Sequence, residues 1–269
     1  MSKHKIERVA AAVTTHLFIL CPNNSGSTYL SRAIAQSRHV WSLEREGQHV
    51  LGFAGPQTLN SPWPLVWAAD AQRLAHFRDS PDYDWDRTRK AWYFHATAAR
   101  TEAPVLHTKA PPFLLIADQL RDAFANTRFI IMVRNPYATL EGILRRWQRT
   151  DASARTLNLA EAGARHIVAC FEQQMRNIDH FGDCSIAFTY EDLCADPRGK
   201  AAAIRRLVPE LDDLDLTQRL AIKGTYDEPL RNMNEEQIAR LDPAEIERAN
   251  TVFAHSKAAL TSFGYALMV

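Results

Sequence analysis

Short apolar runs alternate along the chain with longer stretches in which apolar residues recur at helical spacing. The runs that predict buried β-strands are 17–21, 105–107, 128–133 and 184–189. The stretches that predict helices are 27–36, 113–125, 137–148, 157–180, 197–208 and 242–264, the last with Gly264 as its C-terminal cap. Strands that alternate with helices predict an α/β fold in which helices flank a central, mainly parallel sheet.

One segment, at about 44–100, interrupts this alternation because it is dense in proline, charge and tryptophan. Its tryptophans are Trp63, Trp67, Trp85 and Trp92. An insertion of this kind between two strands is typical of a lid or a substrate wall, but large aromatic residues can equally fill a core. We therefore predict a single domain over 1–269 that carries this insertion, and leave both interpretations open.

Composition narrows the range of partners. The chain has 32 Lys and Arg against 31 Asp and Glu, a net charge of +1, so neither nucleic acid nor a membrane surface is an expected partner. Four cysteines without a CxxC pair are typical of a reduced intracellular protein. The apolar stretches near the start are short and broken by polar residues, so neither a signal peptide nor a membrane span is expected and the protein is predicted to be cytoplasmic.

The first predicted strand runs into a small polar loop and then a helix, in the sequence FILCPNNSGSTYLSRAI. Loops at the carboxyl ends of parallel strands feed helix N-termini, whose free backbone N–H groups attract anions. Gly26 lets the backbone approach a phosphate, while Ser25, Ser27 and Thr28 add hydroxyl donors. The loop lacks the GK[ST] ending with which nucleotide-hydrolysing P-loops hold phosphates and Mg²⁺, which is evidence against an NTPase.

Later motifs extend the pattern: HTKAPP before an apolar helix, RFIIMVRNP, TYEDL and a closing FGY. In this order they resemble the sulfotransferases that use 3'-phosphoadenosine 5'-phosphosulfate (PAPS), enzymes of a P-loop NTPase-like, three-layer fold. The resemblance implies sulfuryl transfer from PAPS, as co-substrate, to a hydroxyl or amine. It also implies that Arg134 binds the 3'-phosphate and that Ser25, Gly26, Ser27 and Thr28 hold the 5'-phosphate and sulfate, and we count the flanking Asn24 and Tyr29 in the same cofactor site.

Two positions depart from the family's pattern. The family has Lys or Arg immediately before the Ser-Gly of the loop, where this chain has Asn24, so another cation is needed and Lys109 is our candidate. The family's serine eight positions after the arginine, which shares the 3'-phosphate, is Gly142 here. Replacement charge for that site is sought at Arg145 and Arg146 on the same helix, or at Lys223 of the Lys223–Gly224 pair in a later loop.

Sulfuryl transfer also needs a base for the acceptor's proton. A carboxylate after the first helix resembles the base of the protein-tyrosine branch of the family, and both Glu44 and Glu46 lie there. Alignment with the family by counting residues places Glu44 nearest to that base, whereas a tight turn at Gly47 would aim Glu46 inward. His49 and His107 are alternatives closer to the small-molecule branch.

Two other functions fit parts of the sequence. A kinase or other phosphotransferase could use the same fold, with Asp192 as the nearest carboxylate for Mg²⁺. The departures at Asn24 and Gly142 would also suit a non-catalytic, degenerate sulfotransferase that only binds a ligand. We favour an enzyme that uses PAPS and no metal, with an acceptor of unknown class. Aromatic residues of the insertion would favour a homodimer if they are exposed.

Overall fold

A computed structural model of the chain describes residues 3–56, 65–148, 155–222 and 226–268. Its centre is a five-stranded parallel sheet with the strand order β2-β3-β1-β4-β5. The strands are β1 (Thr15–Leu20), β2 (Val40–Ser42), β3 (Val105–Lys109), β4 (Thr127–Val133) and β5 (Ser185–Thr189). Because all five run in the same direction, the loops that follow β1, β3 and β4 meet at one edge of the sheet.

Twelve helices surround the sheet in the described part of the chain. They are α1 (Lys3–Ala12), α2 (Ser27–Ala35), α3 (Ala71–Arg78), α4 (Trp85–His95), α5 (Ala117–Ala123), α6 (Pro136–Gln148), α7 (Leu157–Phe181), α8 (Tyr190–Ala195), α9 (Pro197–Leu207), α10 (Asn234–Ile238), α11 (Pro243–His255) and α12 (Lys257–Thr261). Short 3₁₀ turns lie at Gly47–His49, Pro111–Leu115 and Gly182–Cys184, and an antiparallel pair is formed by β6 (Leu220–Ile222) and β7 (Tyr226–Glu228). None of the helices in these ranges is long and apolar enough to cross a membrane.

Side chains of β1 alternate between the two faces of the sheet, as the pleat of a strand requires. Phe18 and Leu20 join the core that contains Trp92, whereas Leu17 and Ile19 join the core that contains α2 and α9. A third apolar cluster unites α6, α7, α11 and α12. Both faces of the sheet are therefore covered, and the predicted three-layer α/β fold is confirmed.

Two predicted helices are wrong in detail. The helix expected over 113–125 is a 3₁₀ turn that starts at two prolines, followed by α5 after an irregular residue at Ile116 (φ −124°). The helix expected over 242–264 breaks at Ser256, also at φ −125°, into α11 and α12. Gly264 does end α12, because its φ of +80° lets the Tyr265 amide donate to the Leu260 carbonyl at 3.0 Å.

The segment 44–100 contributes to the core and to a cleft. Trp92 is fully buried, stacks on Phe124 with a centroid distance of 5.3 Å and donates from its indole to the Gly47 carbonyl at 3.0 Å. Trp67 is also buried but lines the cleft beside the loop that follows β1. Core filling is thus confirmed for Trp92, whereas the substrate wall stays a prediction, for which Trp67 at the cleft is the candidate. Trp63 lies outside the described residues.

Candidate active site at the carboxyl edge of the sheet

The loop between β1 and α2 has the geometry of an anion cradle. Asn24 and Gly26 both have left-handed backbone, with φ of 59° and 81°, and no side chain caps the start of α2. The first backbone N–H groups of a helix lack intrahelical partners and favour negative charge. The buried Ser25 hydroxyl also has no hydrogen-bond partner among the described residues. This loop therefore offers several donors to a phosphate or sulfate.

Gly26 is needed for a reason that the sequence did not reveal. A Cβ at this position would lie 2.4 Å from the Tyr190 ring, at the start of α8. The Tyr190 ring thus packs directly against the loop at Gly26. Both the positive φ and this close approach exclude a side chain at position 26.

The loop forms one wall of a cleft of about 420 Å³. The polar and charged residues that line the cleft include Asn24 to Thr28, Glu46, Gln48, His49, Lys109 and Arg146. The apolar residues that line it include Leu65, Trp67, Phe77, Pro111 and Pro112. A charged ligand and an apolar one can therefore meet in the same space.

Lys109 and Glu46 form an ion pair inside this cleft. Lys109 ends β3 and is only 7% exposed, and its Nζ lies 2.6 Å from Glu46 Oε1. Glu46 reaches β3 because Gly47 packs tightly behind it: a Cβ on Gly47 would be 2.9 Å from both Thr108 Oγ1 and the Trp92 ring. The structure thus brings together the candidate cation and the candidate base next to the phosphate loop.

The other candidate bases lie in different environments. His49 is exposed, with Nε2 4.0 Å from Glu46 Oε2. Glu44 is exposed and lines a neighbouring cavity of about 370 Å³, not the first cleft. His107 is buried, with Nδ1 3.2 Å from the Leu17 carbonyl and Nε2 2.9 Å from Ser31 Oγ. Burial lowers the pKa of His107 to about 4, so its ring is neutral and a weak base.

Arg134 follows β4 and is 5% exposed. Its Nε donates to Asn234 Oδ1 at 2.8 Å, its Nη1 donates to the Asn24 carbonyl at 3.1 Å, and its guanidinium stacks 4.2 Å from the Tyr190 ring centroid. Burial lowers the pKa of Arg134. No carboxylate of the described residues lies within ion-pair distance, and Nη2 is buried without a partner among them. A buried, unpaired guanidinium next to an anion cradle is suited to a second phosphate.

A neutral amide separates Arg134 from the nearest carboxylate. Asn234 receives the Arg134 Nε–H on its oxygen and donates from Nδ2 to Glu191. The Glu191 carboxylate also accepts from the Asn135 amide at 2.9 Å and from the Tyr265 hydroxyl at 2.7 Å. Glu191 therefore orients the guanidinium through Asn234 without pairing with its charge. Sequence reasoning quoted the TYEDL motif but missed this role, and nothing local marks Asn234.

Several predicted residues lie away from the cleft or are engaged elsewhere. The Tyr29 hydroxyl donates to the Leu216 and Gln218 carbonyls in the core against α9. Arg145 pairs with the fully buried Glu141, with Nε 2.9 Å from Oε1, whereas Arg146 does line the cleft. Lys223 and Gly224 lie outside the described residues.

Comparison with known proteins agrees with this fold. The sequence matches the model of the sulfotransferase family over residues 16–209, and no curated protein matches it. The sulfotransferase domain of the Synechococcus PCC 7002 olefin synthase is 19% identical, with a TM-score of 0.54 over 90% of this chain and 95% of that domain. The Alicyclobacillus acidocaldarius sulfotransferase is 18% identical, with a TM-score of 0.51 and coverage of 91% and 94%. The sulfotransferase domain of the curacin biosynthetic pathway is 16% identical, with a TM-score of 0.55 and coverage of 94% and 98%. The chain belongs to the sulfotransferase family and is a transferase that moves sulfuryl groups.

Proposed function

We propose that this enzyme takes its sulfuryl group from PAPS and passes it to a hydroxyl or amine of an acceptor with an apolar body. The observation that carries the choice of donor is the buried Arg134 guanidinium, which has an unpartnered Nη2 beside the cradle of Ser25 to Thr28. Two neighbouring anion-binding features, the cradle after β1 and Arg134 after β4, support a nucleotide with phosphate at both its 3' and 5' positions.

Lys109 and Glu46 have complementary roles in this proposal. Glu46 accepts the proton of the acceptor's hydroxyl or amine as the new bond to sulfur forms. The bond between sulfur and the bridging oxygen breaks, and its electron pair goes to that oxygen. Lys109 Nζ and the loop amides stabilise the charge that develops there, a role for which Asn24 has no positive charge. The products are the sulfated acceptor and 3',5'-adenosine bisphosphate, and no metal ion is given a role.

The apolar lining residues of the cleft support an acceptor with an aromatic or aliphatic body. Trp67 and Phe77 contact each other at a centroid distance of 6.1 Å and line the cleft together with Leu65. The Trp67 indole N–H is buried without a hydrogen-bond partner among the described residues. We propose that it donates to a polar atom of the acceptor and thereby orients it.

The kinase alternative has less support at the residues it would need. Asp192, the carboxylate nearest to the required Mg²⁺ site by sequence, accepts from the Thr189 amide at 3.1 Å in the capping box of α8. Its side chain is thus explained by the helix start.

Calorimetric titration with 3',5'-adenosine bisphosphate, with ATP and Mg²⁺ in parallel, tests the donor. Tight binding of the bisphosphate and weak binding of ATP is the expected result; the reverse would favour a kinase, and binding of neither would favour a degenerate protein. Turnover is then measured with PAPS and a panel of phenols and aliphatic alcohols. Glu46→Gln should abolish most turnover and leave bisphosphate affinity within about threefold.

A further inference from the structure

The two positions at which the chain departs from its family's pattern are in contact. A Cβ on Gly142 of α6 would lie 2.9 Å from both Cβ and Cγ of Asn24, and 3.2 Å from its Nδ2. In this contact Asn24 has a left-handed backbone conformation, with φ of 59°. Any side chain at position 142 would therefore displace the Asn24 amide, so the residues at the two positions are sterically coupled.

The Asn24 amide has the properties of a ligand-binding donor. Its Nδ2 is buried without a hydrogen-bond partner among the described residues, and the same is true of Arg134 Nη2. The two residues are joined by the hydrogen bond from Arg134 Nη1 to the Asn24 carbonyl at 3.1 Å. Asn24 also lines the cleft. Asn24 Nδ2 and Arg134 Nη2 are thus neighbouring donors without an acceptor among the described residues, and Arg134 is charged and only 5% exposed. Because buried donors are normally hydrogen-bonded, an anion is the acceptor that suits both.

We infer that the Asn24 side chain donates through Nδ2 to the same phosphate as Arg134 and makes the enzyme selective for a 3'-phosphorylated nucleotide. This inference rests on the proposed function, in which Arg134 binds the 3'-phosphate. Asn24 then serves the nucleotide's 3' side and not the leaving group. Gly142 is the residue that makes room for it.

The test compares two nucleotides that differ only in the 3'-phosphate. Dissociation constants for 3',5'-adenosine bisphosphate and for 5'-AMP are measured by calorimetry with the wild-type chain, Asn24→Gly and Asn24→Asp. Glycine tolerates the left-handed backbone, and aspartate keeps the shape of asparagine. Loss of a hydrogen bond to a charged group corresponds to roughly a 10- to 100-fold weaker affinity. We expect that loss for the bisphosphate with both variants. With Asn24→Gly the affinity for 5'-AMP should change by less than about threefold, whereas the negative charge of Asn24→Asp should weaken binding of both nucleotides.

A rescue experiment separates a direct role from a change in loop shape. Gly142→Ser alone should weaken bisphosphate binding because its side chain displaces Asn24. In the Asn24→Gly background the same serine gains space and supplies a hydroxyl donor from α6, so bisphosphate affinity should recover by roughly tenfold. Thermal unfolding of each nucleotide-free variant controls for folding.

The outcomes distinguish this inference from the proposed function. If the wild-type chain binds the bisphosphate and Asn24→Gly binds it equally well, the inference is wrong and the proposed function stands. Equal losses for the bisphosphate and 5'-AMP with Asn24→Gly would assign Asn24 to the 5' side or to loop shape, and would also overturn the inference. If the wild-type chain does not bind the bisphosphate, both fail.

Discussion

Replacement of Arg134 by methionine tests the central feature of the site. Methionine keeps much of the buried hydrocarbon stem and removes the guanidinium, whose Nη2 alone can donate two hydrogen bonds. Each hydrogen bond to a charged group is worth about 1.5–3 kcal/mol. We therefore expect Arg134→Met to weaken binding of 3',5'-adenosine bisphosphate by roughly 3 kcal/mol, or about 100-fold, because 1.4 kcal/mol is a factor of ten. Affinity for 5'-AMP should change far less.

Stability of the nucleotide-free protein should respond weakly to the same change. The variant loses the hydrogen bonds to Asn234 and to the Asn24 carbonyl, but it also removes a buried charge that no described carboxylate neutralises. These effects oppose each other, so the free energy of unfolding should change by no more than about 2 kcal/mol.

The assay is calorimetric titration of both nucleotides, together with urea unfolding of the unliganded proteins. Arg128→Met is the matched control, because Arg128 lies near the start of β4, at the end of the strand away from Arg134, and donates to the Thr127 carbonyl. The reasoning is refuted if Arg134→Met binds the bisphosphate as tightly as the wild-type chain, or if it loses 5'-AMP affinity to the same extent.

Three further changes are informative. Lys109→Met should lower turnover by roughly 100-fold or more and change bisphosphate affinity by less than about threefold. The control variant, Glu44→Gln, should leave turnover intact. Equal losses of turnover and affinity would make Lys109 a binding residue. Gly26→Ala should destabilise the fold by about 2–4 kcal/mol in urea unfolding, because of the positive φ and the Tyr190 ring; an unchanged midpoint would contradict this. The folded pKa of His107, about 4, lies below its unfolded value of 6.5, so its stabilising contribution is present above pH 6.5 and is lost as pH falls towards 4. The loss is about 2 kcal/mol at pH 5, and His107→Gln should flatten the dependence measured by urea unfolding.

Local patterns in the sequence were sufficient for four of the five strands of the sheet and for the phosphate loop. The run 17–21, the small polar loop and the helix behind it are contiguous, so periodicity and turn chemistry identify them together. Position at the end of a parallel strand was enough to bring Lys109 to the same edge of the sheet. In contrast, β2 is only three residues long and Val9 is the one buried residue of α1, so neither was predicted.

What the sequence left open depends on contacts between distant residues. The choice of Glu46 over Glu44 as the partner of Lys109 follows from the packing of Gly47 against Trp92, which lies 45 positions away. Asn234 reaches Arg134 across 100 positions, and no motif marks it. The contact between Asn24 and Gly142 likewise links a loop to a helix far along the chain, so the two departures looked independent in the sequence.

The hydrogen-bonded chain from Arg134 through Asn234 and Glu191 to Tyr265 draws on four separate parts of the sequence. A partly folded chain that lacks any one of them cannot hold the guanidinium in place. Nucleotide binding is therefore linked to folding of the whole molecule, and a ligand that binds only the folded state at 100 times its dissociation constant stabilises it by about 2.7 kcal/mol. The donor nucleotide would therefore stabilise the folded state as well as serve as co-substrate. Its concentration would influence both the folded fraction of the enzyme and the rate of turnover.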